Sequence, residues 1–288
     1  MEKGDRVKRE RVARVPSAPG RDAGRTARER LDNALVQRGL ATSREKATRL
    51  ILAGAVRVDG RRVDKAGAVV TAAATLEVAA KPRFVSRGGD KLAPALDVFG
   101  IATEKRVCLD VGASTGGFTH CLLERGAGRV YAVDVGHGQL DASLRADARV
   151  IVMERVNART LTPGAFPEAL GLATVDVSFI SLEKVLPPVF GSLTVDGEVV
   201  ALVKPQFEVG KGLVGKGGVV RDPAQHRTVI ERVARFAVLH GWHVRGITAS
   251  PLRGPKGNRE FFLHLARRGR TVSDLLTRID RVVGEEPA

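Results

Sequence analysis

Val107-Cys108-Leu109-Asp110-Val111-Gly112-Ala113-Ser114-Thr115-Gly116-Gly117-Phe118 begins as a short apolar run, halts at Asp-x-Gly, crosses a loop of small residues and continues into Thr119-His120-Cys121-Leu122-Leu123. That order reads as a buried strand turning tightly into a helix. Gly112, Gly116 and Gly117 let the backbone approach a bound molecule closely, and the amides that open the next helix point at the same spot. The turn is a ligand seat.

Which ligand depends on the acids around it. A dinucleotide fold would space its glycines G-x-G-x-x-G around a pyrophosphate. Here the spacing is Gly112-x-x-x-Gly116-Gly117, and Asp110 stands at the strand tip, where it would repel a pyrophosphate. An acid there suits a ligand carrying an ammonium or a sulfonium, as S-adenosylmethionine does. The next apolar strand, Val130 to Val133, ends in Asp134, close to the offset at which such folds place an acid on a ribose diol. Ser114 and Phe118 belong to the same seat. The plainer alternative is a strand turn without a nucleotide, in which Asp110 only caps the helix. Glu154 and Asn157 follow the third strand, where an adenine edge is expected.

Working outward, Ser86-Arg87-Gly88-Gly89-Asp90-Lys91-Leu92 opens a helix that ends by Gly100. Strands are expected at Val130 to Val133, Val150 to Met153, Ala173 to Val177, Val199 to Val203, His243 to Ile247 and Phe261 to Ala266. Helices are expected at Phe118 to Glu124, Leu182 to Phe190 and Ala224 to His240. Such alternation predicts an α/β fold, a mostly parallel, doubly wound, Rossmann-like sheet with its ligands at the strand C-termini. With a methyl donor in the seat, it is a methyltransferase sheet.

The 288 residues have room for one such domain and something small. A net charge of +15 implies an anionic partner, nucleic acid ahead of a membrane surface, because no basic amphipathic helix or lipid anchor is evident. The first 85 residues hold 20 Lys and Arg against 10 Asp and Glu, so the charge is localised. No run of 18 apolar residues exists and the N-terminus is charged, which reads as a soluble, cytoplasmic protein without a membrane role. Cys108 and Cys121 read as small buried residues, and without partnering histidines they make no metal site.

Residues 1–27 are basic, with Pro16, Pro19 and no sustained apolar period, and read as a disordered arm. From Arg28 the pattern changes. Leu31, Leu35 and Val36 recur at helical spacing, Ser43 caps a second helix ahead of Ala47, Leu50 and Ile51, and Val56, Val58, Asp59-Gly60 and Val63 make a short hairpin. The string Arg30-Leu31-Asp32 through Leu40-Ala41-Thr42-Ser43-Arg44, then Gly54-Ala55-Val56-Arg57-Val58-Asp59-Gly60, resembles the S-four-type, or alpha-L, RNA-binding module over residues 28–80. The resemblance implies a small α+β RNA-binding domain whose Arg30, Arg44, Lys46, Arg49, Arg57, Arg61 and Arg62 meet phosphates of structured RNA. Residues 81–86 are a short linker, broken by Pro82, which would hold a gripped RNA near the next domain.

The chemistry is expected at two more strand tips. Asp176 ends the fourth strand, and Lys204 stands just past the fifth. Both should face the crevice beside the Asp110 loop, where a lysine needs compensating acids. The acceptor follows from what is missing. Asp176-Val177-Ser178-Phe179 lacks the two prolines common in amino-group methylation, and no cysteine nucleophile stands there for carbon methylation. A lysine flanked by acids suits a hydroxyl, whose proton it accepts or whose alkoxide it steadies.

The Ser86 to Leu92 stretch, the Asp110 loop, Asp176 to Leu182 and Lys204-Pro205-Gln206-Phe207-Glu208 together resemble the TlyA family, ribosomal RNA 2′-O-methyltransferases sometimes labelled hemolysins, within the wider FtsJ-like group. The resemblance, about residues 28–267, implies a Lys-Asp-Lys-Glu tetrad at Lys91, Asp176, Lys204 and Glu260. It also implies S-adenosylmethionine as donor and cytidine ribose in small- and large-subunit ribosomal RNA as acceptor. The methyltransferase domain would occupy residues 87–270, with a helix and tail at 271–288. Competing readings are a non-catalytic RNA-binding assembly factor with a vestigial donor fold, and a pore-forming protein, for which no insertion segment is evident. The glycine-rich, basic stretch Val209 to Pro223 reads as a flap beside Lys204, and Ser250 to Asn258 as a second loop shaping the same entrance.

Overall fold

The computed structural model describes residues 13–15, 28–52, 54–65, 67–79, 83–210, 212–254 and 256–285, and it divides into two compact units, Met1–Pro82 and Arg83–Ala288. Lys81 and Pro82 of the expected linker lie outside the described residues, as does nearly all of the expected disordered arm. One part of that arm needs correction. Ala13–Val15 form a strand, β1, in register with Leu76–Val78. Strand pairing of this kind is made by backbone groups at an open sheet edge, so side-chain periodicity does not announce it.

The first unit continues with β2 (Arg28–Arg30), α1 (Leu31–Gln37), α2 (Arg44–Leu52), β3 (Val56–Val58), β4 (Arg61–Val63), β5 (Val69–Thr71) and β6 (Leu76–Val78). Leu31, Leu35, Ala47 and Ile51 bury one face of the helix pair against Val56 and Leu76. The β3–β4 hairpin turns at Asp59-Gly60, both at positive φ, as a two-residue turn requires. β5 and β6 are strands that apolar patterning did not single out.

The second unit holds α3 (Arg87–Phe99), β7 (Val107–Val111), α4 (Gly117–Glu124), β8 (Arg129–Asp134), α5 (Ala142–Arg145), β9 (Val150–Glu154), β10 (Leu170–Val175), α6 (Leu186–Ser192), β11 (Leu193–Val203), α7 (Pro205–Glu208), α8 (Pro223–Leu239), β12 (His243–Ala249), β13 (Phe261–Ala266) and α9 (Leu275–Gly284). Its seven strands run in the order β12-β13-β11-β10-β7-β8-β9, all parallel except β13. The period-two alternation of each strand divides the core between the faces. Leu109, Tyr131, Ala173, Val199 and Phe261 pack with α6, α8 and α9, whereas Cys108, Val130, Leu172, Val200 and Phe262 pack with α3, α4 and α5. Both cysteines are free and buried, and burial pushes each thiol up to about 12.

Strand order reverses between β7 and β10. A crevice opens at such a switch point, beyond the strand C-termini, because the loops leave the sheet in opposite directions. The loops after β7, β10 and β11 all meet there. One expected helix is modified: Leu182–Lys184 is a single 3-10 turn, and the α-helix begins at Leu186, where Pro187 and Pro188 fit only a first turn.

Candidate active site

The crevice is built on glycines that cannot be replaced without moving the loops. Gly112 has φ +85°, and a β-carbon there would lie 2.4 Å from the backbone oxygen of Asp176. The loop after β10 therefore passes directly over the loop after β7, an approach secured by the Asp176 amide donating to the Val111 carbonyl at 2.9 Å. A β-carbon on Gly117 would lie 2.2 Å from Ser86 Oγ and 3.0 Å from Gly88 Cα, so the openings of α3 and α4 are equally close.

Two adjoining cavities result. One, of about 420 Å³, is lined by the openings of α3 and α4 and by the Gly112, Ala113 and Ser114 loop. The other, of about 570 Å³, is lined by Ser178, Phe179, Lys204, Gln206, Phe207, Asn258 and Glu260, with Val214 and Gly218 from the glycine-rich loop. Lys91, Gly112, Ser114 and Asp176 line both. Two ion pairs stand at this junction. Lys91 Nζ lies 2.6 Å from Glu260 Oε2, with Lys91 8% and Glu260 2% exposed. Lys204 Nζ lies 2.6 Å from Asp176 Oδ1 and donates to Ser178 Oγ at 3.0 Å. Asp176 Oδ1 is buried without an aligned hydrogen bond, so its attraction to Lys204 is coulombic. Glu260 also needs bare backbone beside it, since a β-carbon at Gly254 would lie 2.4 Å from its Oε1.

Four residues from four separate loops and helices thus converge as two lysine-carboxylate pairs over one glycine cradle. Residues 84–267 match the FtsJ-like methyltransferase family and residues 29–76 the S4 domain. The chain belongs to the TlyA family of FtsJ-like methyltransferases. It is 51% identical over 265 residues to the Mycobacterium tuberculosis 16S/23S rRNA (cytidine-2′-O)-methyltransferase TlyA, covering 90% of this chain and 99% of that protein. It is 42% identical to Hemolysin A of Brachyspira hyodysenteriae, covering 82% of this chain and 98% of that protein. A solved structure from Streptococcus thermophilus, described as a candidate hemolysin, is 44% identical with a TM-score of 0.69, covering 90% of this chain and 95% of its own.

Within this TlyA-family site the expected donor residues divide. Gly112, Ser114, Gly117 and Phe118 line the smaller cavity, whereas Asp110, Gly116, Asp134 and Asn157 do not. Asp110 is the main correction. Its side chain is 0% exposed, on the α4 face of β7, and accepts from Thr119 Oγ1 at 2.7 Å and Thr174 Oγ1 at 3.1 Å. Burial raises its pKa to about 7. A carboxylate so enclosed fixes the turn from beneath and does not face the crevice as expected. Asp134 accepts from the amides of Ser114 at 2.8 Å and Gly136 at 2.7 Å, which ties the loops after β7 and β8 together. Asn157 caps a 3-10 turn by accepting from the Arg159 amide at 3.1 Å, and Gly116 packs against Leu140 and Leu144.

Several residues that line the cavities carried no clear signal. Phe179 is 90% exposed at φ +63°, an uncommon backbone conformation for a bulky residue, with its ring centroid 4.8 Å from that of Phe207. Asn258 holds the glycine-rich loop, accepting from the Val220 amide and donating to the Gly218 carbonyl, both at 2.9 Å. It ends the Ser250 to Asn258 loop that was expected to shape this entrance.

In the S4 domain Arg30, Arg44, Lys46, Arg49, Arg57, Arg61 and Arg62 are all exposed. Arg30 and Arg44 also pair with buried Asp32 at 3.0 and 2.9 Å, which holds that carboxylate well below its usual range. Arg49 pairs with Glu45 at 3.2 Å. Among the described residues no helix is long and apolar enough to cross a membrane, and no three His, Cys, Asp or Glu gather as a metal site.

Proposed function

We propose that this chain transfers a methyl group from S-adenosylmethionine to the 2′-hydroxyl of a cytidine ribose in ribosomal RNA. The observation that carries the reading is the shared wall of the two cavities, where Lys91 and Asp176 face both compartments and Lys204 faces the larger. Such a wall suits a donor on one side and an acceptor nucleotide on the other. The mycobacterial relative's name, an rRNA (cytidine-2′-O)-methyltransferase, supports the choice of acceptor. An acceptor of that kind makes the reaction cytoplasmic.

The donor chamber fits its ligand. Gly88 and Gly117 offer bare backbone, Ser86 and Ser114 offer hydroxyls, and the Asp176 carboxylate suits a positively charged ligand. When bound, S-adenosylmethionine supplies an electrophilic methyl carbon on a sulfonium. The protein's own task is positioning, because displacement requires oxygen, carbon and sulfur in line. Lys204 meets the hydroxyl oxygen, accepting its proton or steadying the alkoxide, while Asp176 and Ser178 keep its Nζ in place. Lys91, held by Glu260, positions the acceptor at the junction. Phe179 gives the nucleobase a face to stack on, which accounts for an exposed aromatic ring on strained backbone. The arginines of the S4 domain hold the surrounding RNA by its phosphates.

The test is to incubate the protein with labelled S-adenosylmethionine and ribosomal subunits that lack the modification, then digest the RNA to nucleosides. The expected product is 2′-O-methylcytidine. A base-methylated nucleoside, or no incorporation, would overturn the proposal.

A further inference from the structure

Glu208 sits four residues beyond Lys204, lines neither cavity and is 4% exposed. Its carboxylate is a hub. Oε1 accepts from the Leu182 amide at 2.7 Å, and Oε2 accepts from Ser181 Oγ at 2.8 Å and from Arg232 Nη2 at 2.8 Å. Arg232 also donates to the Glu208 carbonyl at 2.8 Å and to Glu183 Oε1 at 2.9 Å.

The consequence lies at the ends of two neighbouring strands. Asp176, Ser178 and Phe179 belong to the loop that leaves β10, and Lys204 caps α7, which leaves β11. α7 has four residues, too few to hold a position by helix propensity alone. Its place is set by ties at its two ends. Lys204 grips the near end of the β10 loop through Asp176 and Ser178, and Glu208 grips the far end at Ser181 and Leu182. If Glu208 let go, the far end of the loop would be free to leave α7, and the segment between the two grips, Ser178 and Phe179 with it, would lose its fixed distance from Lys204, loosening the support that holds Nζ against Asp176.

Stability alone does not call for a carboxylate there. Burial pushes the pKa of Glu208 up, and apolar side chains of similar volume commonly replace buried ion pairs at no loss of stability. We infer that Glu208 is a positioning residue for methyl transfer, one that sets the Lys204–Asp176 contact from behind by clamping the β10 loop to α7. The inference rests on the proposed function.

The experiment compares Glu208→Gln, Glu208→Met, Glu208→Met with Arg232→Leu, and Ser181→Ala with wild type. It measures kcat and KM on ribosomal subunits, donor affinity by calorimetry, and Tm. A displacement of about 1 Å at reacting groups costs on the order of 100-fold. The expected losses in kcat are therefore about 10- to 100-fold for the two Glu208 variants and several-fold for Ser181→Ala. Donor Kd should stay within about threefold, because Glu208 does not touch the donor chamber. Either Glu208 variant leaves Arg232 and the Leu182 amide without their carboxylate acceptor and should lower Tm, whereas Glu208→Met combined with Arg232→Leu should regain Tm without regaining kcat, a split that a purely structural role would not produce. Wild-type kcat in a folded Glu208 variant, or donor affinity falling in step with kcat, would overturn the inference. If neither Glu208 variant folds, Ser181→Ala decides, and wild-type kcat there overturns it. A wild-type protein that methylates no ribosomal RNA would instead count against the proposed function.

Discussion

Asp110 links stability to pH in a way that can be worked out from its surroundings. Its carboxyl is fully enclosed, with two threonine hydroxyls as partners, and its folded pKa is about 7. In the unfolded chain the same group titrates at about 3.9. Between those values the folded protein keeps a proton that the unfolded chain has released, so stability falls as pH rises and levels off once the folded group ionises. Three units at about 1.4 kcal/mol each amount to about 4 kcal/mol. Asp110→Asn keeps the shape and both threonine partners but does not titrate. Its stability relative to wild type should therefore climb by about 4 kcal/mol from pH 4 to pH 8, a relative Tm gain on the order of 10 °C for a unit of this size. The single tryptophan, Trp242, is buried and stacked on Phe190 in the same unit, so its fluorescence reports the relevant melt. Taking the difference between the two proteins cancels the other titrating groups. A difference that does not vary with pH would refute the reasoning.

Other perturbations address the remaining parts of the site. Glu260→Ala strands a buried lysine and should cost about 3–5 kcal/mol, whereas Lys91→Met with Glu260→Leu should recover most of that stability in urea melts and none of the methyl transfer. Phe179→Gly relieves a left-handed phenylalanine, so Tm should hold or rise while KM for RNA increases about tenfold; a loss of stability would show the ring to be structural. Replacing Arg57, Arg61 and Arg62 with alanine should lower the salt slope of RNA binding by about 2 to 3, read from affinities across a salt series.

What the sequence disclosed, and what it hid, follows from how each signal is made. The strand-turn-helix at Val107 to Glu124 and the parallel sheet were legible because apolar period and glycine spacing are local. The burial of Asp110 beneath the turn is not legible from the tip alone, because an acid at a strand tip looks the same whether it faces the crevice or lies under it. Counting by twos from Cys108 would have put it on the α4 face. Asn157 preceded Ala-Arg-Thr and was a helix cap in plain view. The exposure of Phe179 has no local trace in Ser178-Phe179-Ile180, since nothing there reveals its positive φ. The pairing of Lys91 with Glu260 spans 169 residues and has no local trace; only the family resemblance pointed to both.

Lys204 is where the mechanism is most exposed to disproof. Single-turnover methyl transfer to ribosomal subunits by Lys204→Ala, with donor binding followed by calorimetry on the same preparation, tests it directly. Donor affinity should remain within a few-fold of wild type while 2′-O-methylcytidine formation falls by about 10²- to 10⁴-fold. Undiminished transfer by the variant would remove Lys204 from the chemistry and contradict the assignment of this cavity as the acceptor site.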